Sequence, residues 1–335
     1  MYIISAIIAF SILIIVHELG HFTLAKINGV KVEEFSLGMG PKLFGIKGKE
    51  TEYLIKALPI GGYVKMLGEE EAVTDKRAFS SKTSAQKLSI IAAGPLMNLI
   101  LAVLLFGIVG SRGYPVPVVN EIIKDSPAVT SGIKVGDKIL KVDNEKISTW
   151  EDFQTKVYMM KGKPLNLTLL RDGTEKNINV IPIMNKEEKR YLIGIAPAFL
   201  KNPTIIQSTS YGFRQTGSLI KQTIGFFGTL FKGKASSSDF GGPVTIIKLS
   251  GQVAKAGIIP LMTFAAYLSV QLAIFNIIPF PALDGGWIFL FLFEIITRKK
   301  VDDKKVGFIN YIGFALLMTL MVLITIKDIL YPIKF

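Results

Sequence analysis

The chain has 335 residues, half of them apolar, and a formal net charge of +13. A mean hydropathy of +0.44 excludes an ordinary pair of soluble domains and calls for membrane spans. The basic residues are scattered among acids with no aromatic-interleaved patch, so the charge gives no nucleic-acid partner. With no cysteine, disulfides and thiolate metal ligands are excluded as well.

The first predicted element is an apolar segment over residues 2–25, one of four long enough for the roughly 20 residues a bilayer demands. A cleaved signal peptide is disfavoured there, because no Lys or Arg precedes the apolar core and no small-residue cleavage site follows it. Next, TEYLIKALPIGGYVKMLGE (51–69) alternates apolar and polar residues and breaks at Pro59, Gly61 and Gly62, a strand or hairpin pattern. Placed straight after a span, it predicts a membrane-associated β-hairpin, about residues 50–68. A second span covers 88–110.

A compact module of about 70 residues follows. VPVVNEII reads as a strand, SPAVTSGI as a short helix, GDKILKVDNEKI as paired strands, TWEDFQTKVYMM as a helix capped by Thr149, and PLNLTLLRDGTEKNINVIPI as a hairpin turning at Asp172 and Gly173. This order resembles a PDZ domain of the bacterial protease-associated kind, whose strand and helix edges suit peptide addition. A free peptide C-terminus is the partner such an edge would take; a module that only spaces or filters is the other reading. A helix over 211–232 carries Phe213, Ile220, Ile224, Phe227 and Leu230 at helical spacing, and is read as lying on the membrane surface in preference to packing on the module. GGPVTI opens a short helix, and spans three and four cover 258–279 and 306–326.

The connection 297–305 carries Arg298, Lys299, Lys300, Lys304 and Lys305, which places it in the cytosol. Four spans then put both termini and the PDZ-like module outside. The expected fold is a polytopic α-helical membrane protein: four transmembrane helices, the β-hairpin and one extracytoplasmic PDZ-like α+β domain. Its parts would be 1–110, 111–186, a linker and amphipathic helix region over 187–257, and 258–335.

The first span contains HELGH. On a helix, His17 and His21 at i and i+4 share one face and can reach a single zinc ion, with Glu18 projecting beside it. These are the two histidines of the chain. Ionisable groups at membrane depth are expensive, which argues for a function over a chance match. Hydrolytic zinc sites usually take three protein ligands, and the best third candidate is Asp284 of NIIPFPALDGG, at the end of span three with two glycines permitting close backbone approach. The alternative for Asp284 is an N-cap for WIFLFLFEII. Asn98 of AAGPLMN reads as packing glue sooner than as a substrate contact, and the alternative for Asn276 is an interhelical hydrogen bond.

Together, HELGH in the first span, GMGPKL, LPIGGYVKMLGE, AAGPLMN in the second span, the PDZ-like module, GGPVTI and NIIPFPALDGG resemble the bacterial site-2 protease family of the RseP type, over almost the whole chain. The resemblance implies an intramembrane zinc metalloprotease of the bacterial cytoplasmic membrane, with one Zn2+ per chain, His17, His21 and Asp284 as ligands and Glu18 as general base. It implies that Asn276 and Pro279 contact an unwound substrate and that the strand around Gly61, Gly62, Tyr63, Val64 and Lys65 is the membrane-reentrant hairpin. Partners would be single-span membrane proteins in the bilayer, cut toward the cytosolic side after a prior external cut. Signal-peptide remnants or short peptide precursors are the alternative substrates, and a non-catalytic scaffold presenting the PDZ-like module is the alternative function. One PDZ-like module stands where some relatives have two, GMGP replaces GFGP, and Trp287 follows the LDGG.

Overall fold

A computed structural model of the chain describes residues 2–69, 73–185, 190–233 and 241–332. It divides into two compact units, Met1–Leu105 with Thr223–Phe335, and Phe106–Gln222.

In the first unit, helix α1 (Tyr2–Ile27) leads into β1 (Val32–Lys47) and β2 (Glu52–Met66), followed by a 3-10 turn (Phe79–Ser81) and helix α2 (Ser84–Gly110), whose end passes into the second unit. After helix α5 (Ile205–Phe231), which spans both units, come α6 (Pro243–Ala256), α7 (Ile258–Ile277), α8 (Asp284–Thr297) and α9 (Asp303–Leu330). The helices long and apolar enough to cross a membrane are four among the described residues: Ile7–Ile27, Ser84–Gly110, Ile258–Ile277 and Lys304–Leu330. They coincide with the four apolar segments read from the sequence, with ends moved by a few residues. With 14 residues, α8 is too short to be counted among them.

The expected hairpin over 50–68 is replaced by a larger sheet. Ser36 pairs with both Tyr63 and Leu54, and Leu37 with both Gly62 and Ile55, so the first half of β1 lies between the two halves of β2. The second half of β1 pairs with the first half of β2, from Phe44 opposite Ile55 to Lys47 opposite Glu52. Both chains must bend, and Gly38, Gly40 and Gly61 take the positive φ angles, +84°, +86° and +77°, that the bends need. Val32, Val64 and Met66 then pack with Ala25, Val30, Phe79, Ile90 and Phe291 into one core at this end of the helices.

The second unit contains β3 (Tyr114–Ile122), α3 (Pro127–Thr130), β4 (Lys138–Val142), β5 (Glu145–Lys146), α4 (Trp150–Met159), β6 (Leu165–Arg171), β7 (Thr174–Val180), β8 (Ile183–Asn185), β9 (Arg190–Leu192) and β10 (Ile195–Leu200). Up to β7 this is the order expected for the PDZ-like module. Thr149 caps α4 by accepting from the Asp152 N–H while Asp152 reaches back to the Thr149 N–H. The β6–β7 turn holds Asp172 and Gly173 at φ +50° and +78°.

The module runs further than 111–186, because β10 pairs antiparallel with β3 and completes the order β10-β3-β4-β6-β7. The residues expected to form a linker after 186 therefore supply an edge strand. Leu165, Leu167 and Leu169 of β6 point into the core with Ile139, Val142, Phe153 and Val180. Helix α5 makes the packing contact that stands as the alternative to a surface-lying helix: it lies on α4, where Thr155 donates to Gln222 and Ser218 donates to Asp152, and Tyr211 stacks on Tyr114. Phe213 and Ile224 stay on its exposed side.

Candidate metal centre

His17 and His21 sit one helical turn apart on α1, both buried, with their Nε2 atoms 3.1 Å apart. Asp284 is the first residue of α8, and its Oδ2 lies 3.1 Å from His17 Nε2 and 3.6 Å from His21 Nε2. The N-cap of α8 is Leu283, so the capping alternative for Asp284 fails: its carboxylate turns to the histidines instead. Glu18 lies beside them on the same helix.

Zinc bonds of about 2.0 to 2.1 Å in tetrahedral geometry separate the donors by about 3.3 Å. The observed separations of 3.1, 3.1 and 3.6 Å bracket that value. Asp284 Oδ2 is buried and accepts no hydrogen bond of proper geometry, which is costly for a carboxylate unless a cation faces it. His17, His21 and Asp284 form the one such convergent group among the described residues. The donor set of two imidazoles and one carboxylate with no sulfur fits a hydrolytic zinc site.

Small residues make this approach possible. A Cβ on Gly20 would lie 2.4 Å from the Ala93 carbonyl oxygen, and one on Gly94 would lie 2.3 Å from His21 Nε2. The two helices thus cross where neither can carry a side chain, and α2 reaches the far nitrogens of both rings. His21 Nδ1 is 3.0 Å from the Ile90 carbonyl oxygen, and the Asn98 side-chain amide is 3.1 Å from His17 Nδ1. Pro95 leaves the Ile91 carbonyl without its helical donor in the same stretch. Ser269 of α7 donates to the Asn98 carbonyl at 2.8 Å. The packing role read for Asn98 is therefore present, but its side chain also meets a candidate ligand.

The glycines after Asp284 allow a close approach, though to a different partner from the one expected. A Cβ on Gly285 would lie 2.0 Å from the Ile278 carbonyl oxygen and one on Gly286 2.7 Å from that of Phe280, so they fold α8 back on the loop preceding it. In that loop Ala282 holds φ +71°, unusual for a residue with a side chain. Asn310 of α9 accepts from its N–H at 3.2 Å, while Gly313 admits Pro281. Asn310 was not legible as a site residue, since its partner is a main-chain group 28 positions away.

The strand residues divide. Gly62 comes against the general-base candidate, because a Cβ there would meet Glu18 Cγ at 3.0 Å. Gly61 forms the bend, and Lys65 is exposed. Val64 is buried in the core and presents only its main chain to any ligand. The Tyr63 hydroxyl is held by Glu34 and Lys56. No further strand pairs with the Gly62–Met66 edge among the described residues. Asn276, in the last turn of α7, makes no side-chain hydrogen bond to a described residue, so the interhelical bond offered as its alternative is not formed there. Pro279 is exposed between α7 and α8.

Residues 5–320 match the sequence profile of peptidase family M50. A putative zinc metalloprotease of Clostridium acetobutylicum is 56% identical over 99% of this chain and 98% of its own length. Zinc metalloprotease RasP of Geobacillus kaustophilus is 32% identical over 98% and 97%, and regulator of sigma-W protease RasP of Bacillus subtilis is 29% identical over 98% of both. Among solved structures, the PDZ domain of an SdrC-like protein from Listeria monocytogenes covers 25% of this chain and 90% of its own, at 17% identity and a TM-score of 0.24, and adds nothing to the fold described above. The match along nearly the whole length makes this chain a member of peptidase family M50, the site-2 proteases, and a zinc metalloprotease.

Proposed function

We propose that this membrane protein hydrolyses peptide bonds within transmembrane segments of single-span regulators already trimmed outside the cytoplasmic membrane. The observation that carries this reading is the convergence of His17, His21 and Asp284 from helices whose sequences otherwise suit a bilayer. A non-catalytic scaffold has no use for it. The basic 297–305 connection, which joins α8 to α9, supports a cytosolic placement of that loop, and hence termini and PDZ-like module outside.

His17, His21 and Asp284 would hold one zinc ion per chain, which when bound would supply Lewis acidity toward a carbonyl and bring the ionisation of water into the neutral range. Glu18 takes the proton of the attacking water and passes it to the leaving amine nitrogen. The surrounding apolar residues limit bulk water and keep the electrostatics strong.

The substrate helix must unwind before its carbonyl is reachable, which frees donors and acceptors that hydrocarbon cannot satisfy. The unpaired edge from Gly62 to Lys65 takes them by strand addition beside Glu18, with Gly61 setting the bend and Tyr63 and Val64 contributing main chain. The unengaged Asn276 amide meets a further group, and Pro279 ends α7 where the opened segment would pass. The module edges are where a newly made peptide C-terminus would add.

The test gives the wild-type and Glu18→Gln proteins in detergent a single-span substrate and a signal-peptide remnant side by side. Cleavage should fall by about 10² to 10⁴-fold with zinc retained. Undiminished cleavage removes Glu18 from the mechanism, and cutting of the remnant alone removes the substrate class.

A further inference from the structure

The far nitrogens of the two imidazoles are held by different kinds of group. His21 Nδ1 faces the Ile90 carbonyl, which can only accept. In the neutral, ligating form that ring therefore carries its proton on Nδ1 and keeps a lone pair on Nε2. Nδ2 of the Asn98 amide faces His17 Nδ1 at 3.1 Å, and turning the amide over, which scarcely changes its shape, brings Oδ1 to the ring in its place. The amide atom turned away is buried and finds no partner, whichever atom it is, so satisfaction at that end does not choose.

The other side of the His17 ring does. Its Nε2 lies 3.1 Å from both His21 Nε2 and Asp284 Oδ2, a position useful to a cation only with a lone pair there. A neutral imidazole with its lone pair on Nε2 has its proton on Nδ1, and that proton needs an acceptor. The geometry points to Asn98 as a positioning residue: its Oδ1 accepts from His17 Nδ1–H and holds the ring in the ligating tautomer, as the Ile90 carbonyl holds His21. Helix α2 thus carries both acceptors, two turns apart, against two ligands one turn apart on α1, and Gly94 between them leaves the rings room. Asn98 is fully buried, and Ser269 donates to its main-chain carbonyl, a packing contact separate from the side-chain amide. Outer partners of this kind set the orientation and basicity of a metal-bound imidazole.

This assignment rests on the metal reading above, and its test separates the two. The full-length protein, with a tag free of histidine and labelled with ¹⁵N-histidine, contains two imidazoles. Zinc affinity is measured by chelator competition, and the Nδ1 resonances are read in micelles. The expected wild-type result is bound zinc with a proton on both Nδ1 atoms. Asn98→Leu, close in size but without an acceptor, should weaken zinc binding by about 10 to 100-fold. Asn98→Asp, which keeps the acceptor, should restore binding to within a few-fold, and Ser269→Ala, which loosens only the packing, should leave it unchanged.

An unprotonated His17 Nδ1 in the zinc-loaded wild type overturns the assignment whether or not any variant folds. So does zinc binding undiminished in Asn98→Leu, or lost equally in Asn98→Asp or Ser269→Ala. Failure of the wild type to bind zinc would overturn the metal reading itself and this assignment with it.

Discussion

The interior of the PDZ-like unit and the helix crossing at the metal centre are both buried, yet they are built from opposite materials. The first is lined by Leu165, Leu167, Leu169, Ile139 and Val142, all nearly inaccessible, and owes its cohesion to apolar surface leaving water. The second has Gly20, Gly94, Asn98, Ser269 and the two histidines at its contacts. Lipid tails are as apolar as leucine, so burying leucine there gains little, and close backbone approach with interhelical hydrogen bonds holds the helices instead. Helix α9 shows the same solvent from the other side: its apolar length is almost wholly exposed, whereas α2 is far more buried. Leucines mark the core of the PDZ-like unit, and the absence of side chains marks the helix crossing at the metal centre.

The strongest way to break this comparison is to add one methyl group to the crossing. Gly94→Ala places a carbon 2.3 Å from His21 Nε2, and zinc affinity should fall by on the order of 100-fold, the upper range for disturbing a ligand's surroundings. Chelator competition measures it, with protease resistance of the PDZ-like unit expected to stay at the wild-type level. Unchanged affinity would mean that the helices separate easily and that close packing is not what fixes the ligands.

Removing apolar volume from the other unit should do the reverse. Leu167→Ala should cost about 2 to 5 kcal/mol of that unit's stability, read as accelerated trypsin cleavage within residues 114–200, while zinc binding persists. Loss of both together would show that the two units do not fold independently.

A buried ion pair tests the electrostatics of the same core. Asp137 is inaccessible, and Arg171 reaches it through Nε and Nη2, each at 2.6 Å. Burial pushes the Asp137 carboxyl up, but the Arg171 guanidinium and the Lys134 N–H outweigh it and hold the group below its ordinary value of 3.8. A folded-state value below the unfolded one means stability that is complete above pH 3.8 and lost as the pH falls through the folded value. Arg171→Leu should remove about 3 kcal/mol near neutral pH by leaving a buried carboxylate unpaired. Thermal melts between neutral and acid pH should then lose this part of their acid sensitivity.

The smallest effect belongs to the surface of this unit. Lys156 and Lys221 both pair with the half-exposed Glu145, and Lys156→Ala should change stability by less than about 1 kcal/mol, a difference erased by added salt. A larger loss in the same melts would mean that Lys156 also packs through its methylene stem.

Local signals were legible wherever a single short stretch carries its own partner. The His17 and His21 spacing needs only one helix, the Thr149 cap needs Asp152 three residues on, and Asp172-Gly173 suits the turn it makes. β1 was not legible: VEEFSLGMGPKLFGIK mixes adjacent glutamates with glycines and a proline, and is a strand because both of its edges meet β2. β10 was missed for a related reason, since its pairing partner β3 lies more than 70 residues earlier.

Composition and spacing by themselves determined four apolar spans, the strand and helix order of the module as far as β7, and a helix face presenting two imidazoles with Glu18 beside them. Those are properties of chain segments, set by periodicity and by the cost of polar groups in hydrocarbon. Only the tertiary structure decided that Asp284 turns from its helix start to the histidines, that Asn98 and Ile90 meet their far nitrogens, and that Gly62 comes against Glu18. Each of these depends on how closely two backbones approach, and that distance is set by the missing side chains of Gly20, Gly94, Gly62 and Gly285 acting on partners distant in sequence.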